Sequence, residues 1–356
     1  MKKICLLFCG GTIAMVPDTK TGALKPALSP NELYALAPKI EKYADVDIVF
    51  VTDIDSTNMS VKEWQAMASA IKERIDSYDA FVLTHGTDTM AETACALALA
   101  FGRSLKKPVI ITGAQASPVL LGSDAVVNME RAILTAINTT LPKVIISFHD
   151  HAFLGVRTRK QSERKLAAFH SPAVPPLAEH MGDAIHWLTG MQPNVEPAAM
   201  YLPFFSQKVI TVSLHAASDA KLLIDSLFAA SIEKHIRGLV WVSLGSGNVP
   251  EVHHPAINSA NEQNIPIIVV SQFPGGKLNM AAYDAGLKAL KLGVIPAGDM
   301  TPEAAEVKLK WALGLAEKQI AEGKMSEKQI ITFAREVFGH NRADEITLAE
   351  SNPLPV

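Results

Sequence analysis

Residues 80–90 read AFVLTHGTDTM. Five apolar or β-prone residues in an unbroken run, with no polar alternation, describe a strand buried on both faces, as in a parallel sheet covered by helices. The turn that follows is crowded with polar side chains. Thr89 and Glu92 fit the Ser/Thr-x-x-Glu capping box of a helix start. Capping leaves Thr87 and Asp88 with no local purpose at a place where such sheets gather function, the carboxyl ends of strands.

The pattern extends outward from this stretch. Ile4–Cys9, Asp47–Thr52, Pro108–Thr112 and Lys143–Phe148 read as further strands. SPNE at 29–32 and SVKE at 60–63 repeat the capping box between them. A proline-rich stretch, 191–208, separates two halves. The pattern then resumes with strands at Val209–Leu214, Gly238–Leu244 and Pro266–Gln272. Helices fall near 219–230 and 255–263, and another follows Thr301. The expected organisation is a larger α/β domain over 1–190, a linker over 191–208, a smaller α/β domain over 209–340 and a loosely held polar tail over 341–356.

Composition sets bounds on function. The 356 residues are 48% hydrophobic and 19% charged, which fits a large core. A net charge of −3 without a basic block argues against nucleic-acid binding and against a membrane-surface role. No apolar run reaches the roughly 18–20 residues of a membrane span, and the opening MKKICLLFCGG is too short for a secretory leader. Three cysteines, Cys5, Cys9 and Cys95, suit a reduced, cytoplasmic protein rather than a disulfide framework.

The strand ends supply the site candidates. GGTIA (10–14) presents the Thr12 hydroxyl but lacks the spacing of a phosphate-binding glycine loop. A threonine needs a base to become a nucleophile. Lys160 in GVRTRK can act as one if buried near a carboxylate, or can belong to a solvated charge run with Arg164 and Lys165. His85 reads best as a core histidine bonded to backbone, and His253–His254 as a polar loop. His149-Asp150-His151 lacks a third ligand at metal-binding spacing, so no metal is expected. Asn248, after Gly-Ser-Gly, reads as a helix cap.

Together GGTIA and HGTDTM resemble the two signature segments of the bacterial-type L-asparaginase/glutaminase family. The likeness extends through DSTNM (55–59), TGAQ (112–115), GVRTRK, GSGN (245–248) and GGKLNM (275–280). It is nearest the cytoplasmic, type I-like branch. It implies hydrolysis of L-asparagine to L-aspartate and ammonia without a metal or organic cofactor, by a homodimer or homotetramer. Thr12 would be the primary nucleophile, and Thr87, Asp88 and Lys160 a second triad. Gly11, Ser56, Thr57, Gly86 and Ala114 would contact substrate, and Asn248 would reach a neighbouring protomer's site. Two positions depart from the family pattern. Ala23 stands where the mobile loop usually carries a tyrosine, and Tyr283 where type II members carry a glutamate. Glutaminase activity, a component of a tRNA-dependent amidotransferase and a non-catalytic asparagine sensor are the competing expectations. The amidotransferase component ranks low because it carries an extra N-terminal domain.

Overall fold

The computed structural model describes residues 1–17, 24–26, 38–193, 195–196, 199–217, 236–273 and 275–347. The helix starts expected at 29–32 and 219–230, the loop with Ala23, and residues 348–356 lie outside the described residues. The chain divides into a unit from Met1 to Pro203 and a unit from Phe204 to Val356.

In the first unit, β1 (Lys2–Phe8), β2 (Ala44–Phe50), β3 (Ala80–Thr84), β4 (Val109–Thr112) and β5 (Val144–Phe148) are mutually parallel, in the order β2-β1-β3-β4-β5. Every residue of β3, β4 and β5 is buried, as their unbroken apolar runs require. In β2, exposed Asp45 and Asp47 alternate with buried Ala44 and Val46, the half-solvated pattern of the edge position it occupies. Helices α1 (Val61–Arg74), α2 (Met90–Phe101) and α3 (Ala125–Asn138) connect the strands.

Ser60 and Glu63 form the expected capping box on α1. Thr89 and Glu92 do not form one on α2. Thr89 Oγ1 instead donates to the carbonyl of Ser56 at 2.9 Å, tying two strand-end loops together rather than closing its own helix.

Beyond β5 the sheet turns antiparallel, with β6 (His151–Leu154), β7 (Ala178–Met181) and β8 (Ala184–Trp187) on its far edge. A parallel-only reading misses this extension because Ala178–Met181 and Ala184–Trp187 are only partly buried and carry no unbroken apolar run. The His-Asp-His sequence is the reversal itself. His149 takes a φ of 53°, and the Asp150 carboxylate accepts from Nδ1 of His149 (2.7 Å) and of His151 (2.8 Å). Both histidines serve a turn clamp. Among the described residues, no group of three or more His, Cys, Asp or Glu is placed to hold a metal, and no helix is long and apolar enough to cross a membrane. On β7, His180 is buried with Nε2 at 3.3 Å from both Thr135 and Ser147 hydroxyls.

Among its described residues, the second unit is built on four parallel strands in chain order, β9 (Val209–Ser213), β10 (Gly238–Ser243), β11 (Ile267–Ser271) and β12 (Ile295–Pro296). The described helices are α4 (His254–Glu262), α5 (Asp284–Lys291), α6 (Pro302–Ala321) and α7 (Ile330–Phe338). Trp241 of β10 is fully buried among Leu239, Val269, Ile257 and Ala289. Thr301 caps α6 by accepting from Ala304 N at 3.1 Å, with Pro302 at the first helical position.

The first residues of the expected tail are not loose. Lys308 of α6 and Glu345 form an ion pair at 2.6 Å with both side chains wholly buried. Lys308 Nζ also donates to His340 O at 2.6 Å, and the Glu345 carboxylate accepts from the N–H groups of Arg342 and Ala343. A polar sequence conceals this anchor because neither charge reveals from composition that it has a buried partner. Removing one partner strands the other charge in an apolar interior, typically at about 3–5 kcal/mol. Glu345→Ala is therefore expected to lower the urea midpoint of the second unit's transition strongly, and Lys308→Met with Glu345→Leu to recover most of the loss.

Candidate active site

Strand register brings the site loops into one row. Phe8 of β1 pairs with Phe50 of β2 and Thr84 of β3, and Thr84 pairs with Thr112 of β4. The segments GGTIA, DIDSTNM, HGTDTM and GAQ consequently leave the sheet side by side. Chain connections run outward in opposite directions from β1 and β3, so the row spans a switch point, where open α/β sheets leave a crevice.

Close backbone approach closes the row. Gly11 has a φ of 92°, and a Cβ placed there would lie 2.4 Å from the carbonyl carbon of His85 and 2.6 Å from Gly86 N. Only glycine allows that conformation and that contact together. Thr12 follows at once, half-buried at the start of a short 3₁₀ turn, Thr12–Ala14. A Cβ on Gly86 would meet Ser56 Oγ at 2.4 Å, so the Ser56 hydroxyl sits against this backbone.

Ser56 is buried and opens a second 3₁₀ turn, Ser56–Asn58, while Thr57 beside it is exposed. Asp55 caps this turn by accepting from Thr57 N at 2.9 Å, and that backbone hydrogen bond holds its carboxyl below the usual range. His85 is fully buried, its backbone N–H donating to Thr112 O at 2.9 Å. Its ring Nδ1 lies 2.7 Å from Gly86 O, a carbonyl that can only accept, so Nδ1 carries the proton. Burial pushes the imidazole down to about 4. A neutral, backbone-bonded core histidine is what the structure contains.

Lys160 lies on a two-residue strand, Arg159–Lys160, paired with Phe169–His170. Its Nζ donates to Thr87 Oγ1 and to Asp88 Oδ1, both at 2.7 Å. The lysine side chain is 16% exposed and the aspartate 64%, so the pair opens to solvent on the carboxylate side. Lys160 is thus separated by its geometry from Arg164, which is exposed and paired with Glu163. A hydroxyl held by an ammonium that a carboxylate fixes in turn is an arrangement able to move protons.

Sequence reasoning passed over Gln115, Asp124 and Asn128. Gln115 Oε1 accepts from Thr87 Oγ1 at 3.1 Å. Asp124 sits where a helix cap is expected, before α3, yet its side chain makes no cap bond and turns back onto the N–H groups of Gln115 and Ala116. The TGAQ segment pointed to this loop, but Ala114, buried between Gly113 and Gln115, offers only backbone.

Asn248 and Tyr283 belong to the second unit. Asn248 does not cap a helix, because Pro250 occupies that place before Glu251–His253. Its backbone bridges to Leu244, and its buried Oδ1 has no partner among the described residues. Tyr283 is exposed at the start of α5.

The two units have counterparts in known proteins. The model of the N-terminal asparaginase domain matches residues 3–192, and that of the glutaminase/asparaginase C-terminal domain matches residues 208–323. The chain belongs to the asparaginase/glutaminase family and is an amidohydrolase of that family. It is 32% identical over 318 residues to L-asparaginase 1 of Escherichia coli, covering 88% of this chain and 92% of that protein. It is also 31% identical over 359 residues to a glutamyl-tRNA(Gln) amidotransferase component of Aeropyrum pernix, covering 95% of this chain and 83% of the relative. Among solved structures, the thermostable L-asparaginase of Thermococcus kodakarensis superposes with a TM-score of 0.85 at 29% identity, over 98% of this chain and all of that one.

Two outcomes follow from this geometry. Gly11→Ala is expected to destabilise the first unit by at least the roughly 1–3 kcal/mol of a strained positive φ, and to displace Thr12 enough to lower turnover about 10²-fold, read by thermal unfolding and by rate. His85 and His180 are each held near 4 by burial, against 6.5 for a free imidazole. A depressed histidine binds fewer protons folded than unfolded, so its stability contribution is complete above about pH 6.5 and is lost as pH falls toward 4. The unfolding free energy should drop across that window by about 3 kcal/mol per histidine, and His85→Gln should flatten the profile.

Proposed function

We propose that this protein is an L-asparaginase, hydrolysing the side-chain amide of L-asparagine to L-aspartate and ammonia. The observation that carries the reading is the 2.7 Å contact of Lys160 with both Thr87 and Asp88, one strand away from Thr12. L-asparaginase 1 of Escherichia coli and the Thermococcus enzyme support the choice of substrate.

In this reading Thr12 attacks the amide carbonyl. Backbone N–H groups at 11–12 and 86–88 receive the developing oxyanion, at about 3–4 kcal/mol per donor. The carbon–nitrogen bond breaks as the proton given up by the Thr12 hydroxyl passes to the departing ammonia through the Thr87–Lys160 pair, and water then hydrolyses the Thr12 ester, releasing aspartate and restoring the hydroxyl. Asp88, open to solvent, binds the substrate's α-ammonium, and Ser56 and Thr57 bind its α-carboxylate. Gly86 and Ala114 line the amide end. Asn248 completes the site of a second copy, so the working form is a homodimer or homotetramer. Three buried cysteines, none in a disulfide, suit a cytoplasmic protein.

The amidotransferase relatives favour a second reading, in which the same groups release ammonia from glutamine. A net charge of −3 gives that reading little support from composition for a tRNA partner. Ammonia release from asparagine and from glutamine separates the two. Thr12→Ala, Thr87→Ala and Lys160→Met should each lower turnover of the preferred amide about 10³-fold with the protein still folded. Unchanged rates in both threonine variants would overturn the assignment, and a marked preference for glutamine would transfer it to the second reading.

A further inference from the structure

Gln115 uses both ends of its side-chain amide. Nε2 donates to the carbonyl of Ser162 at 3.1 Å and to that of Lys165 at 3.2 Å. Carbonyls carry no hydrogen, so the reversed amide would set Oε1 against two acceptors, and only one orientation is sustained. Oε1 is thereby turned to Thr87 Oγ1 at 3.1 Å. An amide oxygen only accepts, so the Thr87 proton points toward Gln115. The Thr87 lone pairs remain for Lys160 Nζ at 2.7 Å, which must then be the donor. In this resting arrangement the Thr87 proton faces away from the lysine.

The arm that imposes this is rigid. The Asp124 carboxylate accepts from Gln115 N at 3.1 Å, Ala116 N at 3.0 Å and Asn128 Nδ2 at 2.9 Å, and Asn128 Nδ2 also donates to Gly113 O at 2.9 Å. The carbonyls that Gln115 clamps belong to the turn directly after Lys160. There the Ser162 hydroxyl accepts from Arg164 N at 3.2 Å and Lys165 N at 3.0 Å. One amide therefore joins the loop of Thr87 to the hairpin of Lys160.

We propose that Gln115 is a positioning residue that holds the Thr87 hydroxyl proton away from Lys160 and so governs how readily Lys160 gives up its own proton. It acts through Thr87 and does not touch substrate. It rests on the proposed function only for the reaction whose rate it controls. Asp88 faces Lys160 from the loop of Thr87; Arg159, Glu163, Arg164 and Lys165 share the hairpin; Asp124 lies behind Gln115 with its oxygens engaged by N–H groups. These charges are constant across variants of position 115.

Removing the acceptor leaves Thr87 free to donate to a neutral Lys160, which favours the deprotonated lysine. A carboxylate in its place binds the Thr87 proton more strongly and adds negative charge near the ammonium, which favours the protonated lysine. The test is a pH titration of the Lys160 Cε resonance in ¹³C-lysine-labelled wild type, Gln115→Met and Gln115→Glu. Assignment uses Lys160→Ala, and thermal melts confirm folding. The midpoint should fall by about half a unit in the methionine variant and rise by about one unit in the glutamate variant. The acid limb of kcat/KM for ammonia release should move with it, with kcat changed more than KM. Equal midpoints in wild type and Gln115→Met, or displacement of both variants in one direction, would overturn the proposal. A wild type that releases no ammonia from either amide ends the asparaginase reading instead, and the titration still decides the role of Gln115.

Discussion

The missing side chain at position 11 is the constraint on which the site depends. Adjacent strands of a sheet stand about 4.8 Å apart, and side chains normally keep the loops beyond them from touching. At Gly11 the main chain lies against the carbonyl of His85, so the loops after β1 and β3 share one surface. Thr12 and the HGT turn inherit their relation from that contact. Burial of His85 follows from it, as does the neutral imidazole that bonds to Gly86 O rather than to a reactant. Strand register does the rest, since ladders level at Phe8, Phe50, Thr84 and Thr112 deliver four loops to the same height.

Hydrogen bonds between loops, with one carboxylate that braces its own loop, hold this surface. Thr89 serves the Ser56 carbonyl, Asp124 serves Gln115 and Ala116, and Gln115 serves Ser162 and Lys165. Thr89 and Asp124 stand at positions that local rules assign to a helix cap. Each has been drawn off by backbone groups 8 or more residues away. A site assembled in this way is stiff without being deeply buried, which suits a reaction in which a small polar substrate must enter from water and a proton must move along a fixed line.

The sequence made the parallel strands legible because burial on both faces leaves an unbroken apolar run, as in AFVLT. The Ser60 and Thr301 caps were legible because their partners lie within three residues. Thr87 and Asp88 stood out as residues with no local task, and resemblance supplied Lys160. Gln115, Asp124 and the true role of Thr89 were not legible, since the backbone groups their side chains bind lie 8 to 50 residues away and no short-range pattern encodes them. The antiparallel edge was hidden because its outer strands are only partly buried and carry no unbroken apolar run. Glu345 was hidden by the polar company it keeps.

The ion pair of Lys308 and Glu345 also orders events in time. Helix α6 leaves the ribosome with Lys308 well before residue 345 follows, and until then its ammonium has no counter-charge with which to enter an apolar interior. The first unit, complete by Pro203, faces no such delay and can close while the rest is still being made. Completion of the second unit is thus coupled to arrival of its last described turn. A chain cut short between α7 and Glu345 would retain the described helices and strands of that unit, yet present a charged, unfinished core to the quality-control machinery of the cell.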